Sequence, residues 1–309
     1  MKRKGDQIDA WVIIDKPADM GSTPIVSKVK RGLNANKAGH AGTLDPFATG
    51  ILPIALGQAT KTISYIQDSD KDYSFTLQFG KTTDTLDSEG IITEQSEVIP
   101  TDEQILAILP DFIGDITQIP PAYSAIKIKG KRAYDLARSG VDMDIPSRMV
   151  RVYDLKFLGW ESKDLGLFHV RCGKGTYVRS LGRDIAECLG SVGYLTALRR
   201  ERVGVYDLKC SISLENFEEM THNTGSIGDK LLPMESALDG IPALTVADKK
   251  ALKLSNGLVL RGLQTEYDDG TVIMVKTATH LIGFGQVVGD DVKPVRIFNN
   301  PVPMINESE

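Results

Sequence analysis

One carboxylate stands alone in a stretch that is otherwise rich in glycine and apolar residues. Asp45 is the only acid between residues 37 and 61. Two glycines precede it, and Pro46 after it disfavours helical backbone angles at Asp45. The apolar run at 51–56 has the composition of a buried segment, which places Asp45 at the edge of the core. A carboxylate in that position needs a partner or a chemical role.

A structural role for Asp45 stays open on spacing alone. An Asp-Pro pair often marks the start of a helical turn, with the aspartate as N-cap and the proline at the first helical position. The residues around Asp45 do not by themselves separate this role from a chemical one.

Arg179 carries a positive charge in a local environment that disfavours it. Apolar residues at helical spacing predict a helix over about 176–189, and Arg179 lies in its first turn. A cation there opposes the helix dipole, no acid lies three or four residues away, and Arg183 one turn on repels it. Such an arginine suggests a carboxylate partner elsewhere in the fold, and an ordinary structural salt bridge is the alternative.

Tyr73 begins the apolar face of a predicted strand. Apolar and polar residues alternate over 72–80, which is typical of a strand with one buried face. Packing in the core is one interpretation of Tyr73. A ring at the start of such a strand also lies near the loops at the strand's end.

The charges are unevenly distributed along the chain. A formal net charge of −5 argues by itself against nonspecific binding of nucleic acid. Residues 82–126 contain nine acids and no lysine or arginine, whereas residues 127–151 contain seven bases and three acids. A basic segment of this kind can follow a phosphate backbone or simply form a solvated face, and charge alone leaves both open.

Length and composition exclude several other classes. With 309 residues and 41% hydrophobic content the chain can form one large and one small domain with real cores. No apolar run of membrane length and no signal peptide is present, which predicts a cytoplasmic protein without a membrane partner. Three widely spaced cysteines argue against a disulfide framework, the histidine spacing predicts no metal site, and no phosphate-binding Walker loop occurs.

Periodicity and chain breakers predict further elements. Strands are expected at 11–17, 148–160 and 166–172, and helices at 22–33 and 101–109. A second unit is predicted from about Pro242, with a helix at 247–254 and short strands around 258–260, 272–276, 281–288 and 295–298.

Several separate motifs resemble one protein family. Residues 39–61, G-H-A-G-T-L-D-P-F-A-T-G-I-L-P-I-A-L-G-Q-A-T-K, closely resemble the signature of the TruB-type tRNA pseudouridine synthases. Residues 82–90, 118–138 and 175–179 resemble, in the same order, that family's T-D-T-x-D-x-x-G element, its thumb-like insertion and its G-T-Y-V-R motif. The motifs agree in order across roughly the first 200 residues, and support is weaker over the final 65 or so.

The resemblance implies a fold and a domain organisation. The fold is an α+β pseudouridine-synthase fold, with a mixed, largely antiparallel sheet flanked by helices. Residues 1–236 would form the catalytic domain, with a basic thumb-like insertion at about 118–150. Residues 242–300 would form a small PUA-like β-domain that binds RNA, followed by a frayed tail at 301–309.

The resemblance also implies an activity and roles for single residues. The family isomerises the uridine at position 55 in the T-loop of tRNA, after flipping the base out. Asp45 matches the catalytic aspartate, Arg179 its arginine partner and Tyr73 the ring that stacks on the target base. The remaining matches to substrate-binding positions are His40, Tyr177, Leu198 and Asp87. Contacts to the RNA backbone are expected from Lys61, Lys127, Lys129, Lys131 and Arg132.

Partners follow from the same resemblance. The substrate would be the T-arm stem-loop of tRNA, bound by a monomer that needs no guide RNA or protein partner. The isomerisation has no redox step, so no cofactor is implied. One alternative is a tRNA-folding chaperone without catalysis, and another is a guide-RNA-dependent synthase, although the chain lacks extended basic tails.

Overall fold

The apolar runs of the sequence form the strands of one large sheet. The computed structural model describes residues 5–124, 126–128, 131–138, 144–224 and 226–298, in two units, Met1–Leu232 and Pro233–Glu309. The strands of the first unit are β1 (Ala10–Lys16), β2 (Ala38–His40), β3 (Thr49–Leu56), β4 (Lys71–Phe79), β5 (Lys81–Thr83), β6 (Ile92–Gln95), β7 (Gly114–Gln118), β8 (Lys127–Ile128), β9 (Lys131–Arg132), β10 (Arg148–Ser162), β11 (Leu165–Cys172), β12 (Gly193–Val203), β13 (Tyr206–Asp207) and β14 (Ile212–Ser213).

Helices flank this sheet. The α-helices of the first unit are α1 (Ser22–Gly32), α2 (Ile63–Asp68), α3 (Asp102–Ile108), α4 (Ala133–Arg138), α5 (Val178–Cys188) and α6 (Leu214–Thr224). Its short 3₁₀ helices are Gly57–Thr62, Leu109–Phe112, Leu208–Cys210 and Gly228–Lys230. The predicted helices at 22–33, 101–109 and 176–189 are confirmed to within two residues at each end.

The sheet is mixed and largely antiparallel, as predicted. Its strands follow the order β14-β1-β3-β12-β4-β11-β10-β7. Along this path β1 and β14 pair in parallel, as do β3 and β12, while the pairs from β12 to β7 and the pair of β1 with β3 are antiparallel. β12 was not predicted from the sequence, although it joins the two halves of the sheet.

Two apolar clusters hold the first unit together. One lies where α5 covers β4, β11 and β12, and the other where α1 and α6 cover β1 and β3. α5 approaches the sheet closely at Gly182, where a Cβ would lie 2.8 Å from a methyl group of Leu195. This close approach fixes the first turn of α5, and with it Arg179, against the sheet.

The second unit is a small sheet with one helix. Its elements are β15 (Leu232–Pro233) at the division, a 3₁₀ helix (Met234–Ala237), β16 (Ala243–Thr245), α7 (Asp248–Ser255), β17 (Val272–Lys276), β18 (Leu281–Val288) and β19 (Asp291–Ile297). β16 to β19 pair in sequence order around an apolar cluster of their own.

Some expectations for the second unit were wrong. The strand around 258–260 is absent, because Leu260 makes only an isolated bridge with Val292. β19 starts at Asp291 rather than 295, and β16 was missed. The domain boundaries at 236 and 242 stay predictions, the tail at 301–309 lies outside the described residues, and so do residues 125, 129–130 and 139–143 of the thumb-like insertion. Among the residues that are described, no helix is both long and apolar enough to cross a membrane.

Candidate active site

Arg179 pairs with Asp45, and this predicted contact is confirmed. Arg179 enters from the first turn of α5, and its Nε lies 3.0 Å from Oδ2 of Asp45. The guanidinium is 4% exposed, whereas the Asp45 side chain is 33% exposed. Within the described chain Nε–H has no aligned hydrogen-bond acceptor, so the contact is an ion pair without an in-line hydrogen bond.

The rest of the guanidinium is held from three other directions. Nη1 donates to the backbone oxygen of Thr85 at 2.8 Å and lies 3.0 Å from the buried carboxylate of Asp87. Nη2 donates to the backbone oxygen of Tyr123 at 2.9 Å. These contacts fix the plane of the fork and direct its remaining edge at Asp45.

Burial decides the net direction of the Asp45 pKa. Burial raises the pKa of the Asp45 carboxyl, Arg179 opposes that rise, and the nearby Asp87 adds to it. The net shift is upward. Arg179 therefore lowers the pKa of Asp45 relative to the value that burial alone would give, without reversing the upward shift.

Five of the seven predicted catalytic and substrate-binding residues line one cavity. Its volume is about 270 Å³, and Asp45, Tyr73, Arg179, Tyr177 and Leu198 all contribute to its wall. Specific ligand pockets for drug-sized molecules are typically about 300–1,000 Å³, so this cavity suits a single ring. Aromatic, aliphatic and hydroxyl side chains thus line this cavity together with one carboxylate and its arginine partner.

The other predicted residues lie elsewhere. Asp87 lines an adjoining cavity of about 840 Å³. His40 is half-buried on β2 and lies outside both walls, and burial with the nearby Arg200 lowers the pKa of its imidazole. Of the residues expected to contact RNA backbone, Lys61 lies in the 3₁₀ helix Gly57–Thr62. Lys127, Lys131 and Arg132 lie on β8 and β9, and Lys129 falls outside the described residues.

Comparisons with known proteins assign the chain to a family. Residues 30–178 match the N-terminal domain of the TruB family of pseudouridylate synthases, and residues 179–239 match the C-terminal domain of tRNA pseudouridylate synthase B. The chain belongs to the TruB family. A tRNA pseudouridine synthase B from Caulobacter vibrioides is 45% identical over 305 residues, covering 96% of this chain and 98% of that protein.

Further relatives agree with this assignment. A tRNA pseudouridine synthase B from Bradyrhizobium diazoefficiens is 46% identical over 305 residues. The match covers 97% of the present chain and 88% of the Bradyrhizobium protein. A solved H/ACA ribonucleoprotein bound to a substrate RNA contains a chain that superposes with a TM-score of 0.72, at 23% identity, covering 95% of this chain and 86% of that one. At that identity the likeness shows the fold, and it confirms the predicted pseudouridine-synthase fold.

Sequence reasoning missed the residues that hold the Asp45 loop. In the TruB-family chain, Lys16 is 1% exposed and its ammonium donates to the backbone oxygens of Pro17, Met20 and Pro46. Burial lowers the pKa of Lys16 to about 8, although nearby Asp45 opposes this. A lysine at the end of an apolar strand is a signal that could have suggested a buried cation.

Ser22 and Gln118 were also missed. The hydroxyl of Ser22 both donates to the backbone oxygen of Leu44 and accepts from its amide. Gln118 is 1% exposed, and its side-chain amide binds both the backbone N–H and the backbone oxygen of Tyr177. Such contacts depend on which segments meet in space, so no local pattern reveals them. In the described part of the chain no group of His, Cys, Asp or Glu has the arrangement of a metal site.

Proposed function

We propose that this protein isomerises uridine to pseudouridine in tRNA, at position 55 of the T-loop. The observation that carries the proposal is the pairing of Asp45 with a buried arginine at the mouth of a base-sized cavity. The membership of the TruB family supports it, as do relatives named tRNA pseudouridine synthase B at 43–49% identity.

The reaction needs a carboxylate and room for one uracil. The bond between N1 and the ribose breaks, the uracil rotates, C5 joins C1′, and C5 then loses its proton while N1 gains one. Extracting the base from the folded loop costs a few kcal/mol of unstacking. Stacking on Tyr73 recovers about 1–3 kcal/mol. Atoms balance without an oxidant or a reductant, so the chemistry asks only for acids, bases and positioning.

Asp45 acts as the nucleophile, or as the base that starts elimination across the sugar. Arg179 opposes the effect of burial on the pKa and so supports the ionised carboxylate. Asp87 contributes to substrate binding indirectly. Its buried carboxylate pairs with the Arg179 guanidinium and so holds Arg179 in the wall of the cavity. Tyr177 and Leu198 shape the cavity, and His40 fills the space that the flipped base leaves.

The partner is the T-arm stem-loop, bound without a guide RNA, by a monomer in the cytoplasm. Lys61, Lys127, Lys129, Lys131 and Arg132 contact phosphates and position the RNA without reading its sequence. The second unit adds RNA contacts as a PUA-like domain. These assignments follow the family resemblance.

The test is tritium release from a T-arm stem-loop that carries 5-tritiated uridine. We expect wild type to release tritium and Asp45→Asn to bind the RNA but release none. Asp115→Asn is the matched control, because Asp115 is exposed and pairs only with Arg151 among the contacts described. Release by Asp45→Asn near the wild-type rate would overturn the role of Asp45. No release from wild type, with tight binding of the same RNA, would favour the non-catalytic chaperone.

A further inference from the structure

Arg200 is a buried cation between the two strands that position the active-site residues. It lies on β12 and is 1% exposed. In the sheet register it stands opposite Tyr73 of β4 on one side and Gly50 of β3 on the other. The register shifts between Arg200 and Arg202, and such a bulge changes the direction of nearby side chains. Arg200 therefore lies where the strand of Tyr73 and the strand after Asp45 meet.

The guanidinium binds the chain on both sides of Asp45. Its Nε donates to the backbone oxygen of Ile51 at 2.7 Å. Nη2 and Nη1 donate to the backbone oxygens of Gly42 and Thr43, at 3.1 and 3.4 Å. One planar group thus joins the segment before the carboxylate to the strand that follows it.

Gly50 allows this arrangement. Its φ is +102°, and a Cβ there would lie 2.2 Å from the backbone oxygen of Arg200 and 2.8 Å from its nitrogen. Only glycine permits that approach, so β3 lies directly against the backbone of Arg200. The end of the Asp45 loop is fixed to β12 by this contact as well.

The same cation acts on a second active-site group. Burial raises the pKa of the Tyr73 hydroxyl, and the nearby charge of Arg200 opposes that rise. In the part of the chain that the structure describes, Arg200 pairs with no acidic side chain, and its hydrogen-bond acceptors are backbone carbonyl oxygens. A buried cation without an acid is costly, and packing alone would be served better by an apolar side chain.

We propose that Arg200 is a positioning residue of the isomerase, which fixes the Asp45 loop relative to the strand that carries Tyr73. The inference rests on the proposed function, because it assigns Arg200 to the reaction at that site. Arg200 does not line the cavity, so it acts through the groups it holds.

The test compares Arg200→Lys and Arg200→Met with wild type. Lysine keeps the charge but has no planar fork, so both variants lose the clamp. At saturating enzyme we expect the rate of tritium release to fall about a hundredfold or more, since small misplacements of reacting groups have effects of that size. The dissociation constant for the stem-loop is expected to change by less than about threefold. Arg202→Lys is the matched control on the same strand and should stay within about twofold.

Two results would overturn the proposal. One is a saturated rate within about twofold of wild type in Arg200→Lys. The other is a loss confined to RNA affinity. Hydrogen exchange of residues 42–51 separates positioning from general destabilisation, because the variant should lose protection there while its thermal transition stays cooperative.

If the Arg200 variants do not fold, hydrogen exchange measured on the wild-type protein still tests the clamp. Residues 43–48 belong to no strand or helix, yet the clamp predicts that the Ala48 amide, which donates to the backbone oxygen of Asp45 within the loop, exchanges about a hundredfold slower than in an unstructured peptide. Free exchange there would overturn the clamp. Failure of wild type to release tritium would instead overturn the proposed function, and the exchange experiment would still test the clamp.

Discussion

At the scale of single residues, the site places one arginine between two carboxylates. The side chains of Arg179 and Asp87 are 4% and 3% exposed, whereas that of Asp45 is 33% exposed. The Asp87 carboxylate fixes the guanidinium, and the Asp45 carboxylate remains accessible for the proposed reaction. Removing a partner of such a buried pair typically destabilises a protein by about 3–5 kcal/mol, so Arg179 is held firmly in place.

The pH dependence of the rate should report Asp45. Burial raises its pKa, and Arg179 opposes this. The reacting form is ionised, so activity is lost as pH falls through a pKa that lies above the ordinary aspartate value of about 3.9. We expect Arg179→Lys to move this acid limb to higher pH, as measured by single-turnover tritium release, because a weaker pair opposes burial less. A limb that stays in place would contradict the pairing, and Arg202→Lys serves as the control.

The raised pKa of Asp45 affects stability in the opposite direction to activity: the folded state loses stability as pH rises. A folded-state pKa above the unfolded value means that protonated Asp45 favours the folded state. That contribution is fully present below the unfolded pKa and is lost as pH rises through the folded pKa. Asp45→Asn should therefore gain thermal stability relative to wild type as pH rises through this window, in melting curves at several pH values. An equal difference at every pH would contradict the raised pKa.

The Tyr73→Phe variant distinguishes the role of the aromatic ring from that of the hydroxyl. The ring can still stack, so the dissociation constant for the stem-loop should change by less than about threefold. Loss of a hydroxyl that takes part in proton transfer typically lowers the rate by about 10²–10⁴-fold. Single-turnover tritium release measures this, with the exposed Tyr153 changed to Phe as the control. An unchanged rate would remove any chemical role for the hydroxyl.

At the scale of elements, β7 and α5 are joined just before the thumb-like insertion begins. Gln118 ends β7 and binds both backbone groups of Tyr177, which precedes α5. Ser180 and Arg183 of α5 both donate to the backbone oxygen of Ile119. The base of the insertion is thereby fixed to the helix that carries Arg179.

Gln118→Leu should uncouple these elements. It leaves the backbone N–H of Tyr177 without its buried partner, which typically costs about 1–3 kcal/mol. The backbone oxygen of Tyr177 still accepts from the N–H of Leu181. We expect a lower midpoint of denaturant unfolding and a slower saturated rate, because Tyr177 lines the cavity. Gln95→Leu is the control, since Gln95 is exposed on β6. Wild-type stability in Gln118→Leu would show that these hydrogen bonds contribute nothing net.

At the scale of the whole molecule, each unit has its own apolar core. Leu195 belongs to a core of the first unit and Leu254 to that of the second, and both are completely buried. Separate cores can unfold separately, because the contacts that make unfolding cooperative lie mainly within each unit.

Calorimetry should therefore resolve two unfolding transitions. A leucine-to-alanine change in a core typically costs about 2–5 kcal/mol. Leu254→Ala should lower the smaller transition and leave the larger one in place, while Leu195→Ala should do the reverse. A single transition that shifts equally in both variants would contradict independent units.

The sequence by itself determined the elements and the residues most suited to chemistry. Alternation identified β4, helical spacing identified α5, and an isolated acid and a misplaced cation pointed to Asp45 and Arg179. These signals are local, because they depend on side-chain periodicity and on charges a few residues apart. The family motifs then supplied the fold and the activity.

Tertiary structure alone decided how those residues are held. β12 was missed because its leucines and arginines have no strong strand preference, and neighbours on both sides make it a strand. The direction of the Asp45 pKa depends on how deeply its loop is buried, which spacing does not reveal. Likewise Lys16, Gln118 and Arg200 bind backbone oxygens far away in the sequence. Those contacts exist only once the sheet has brought distant segments together, which is why the sequence could name the residues proposed to react but not their supports.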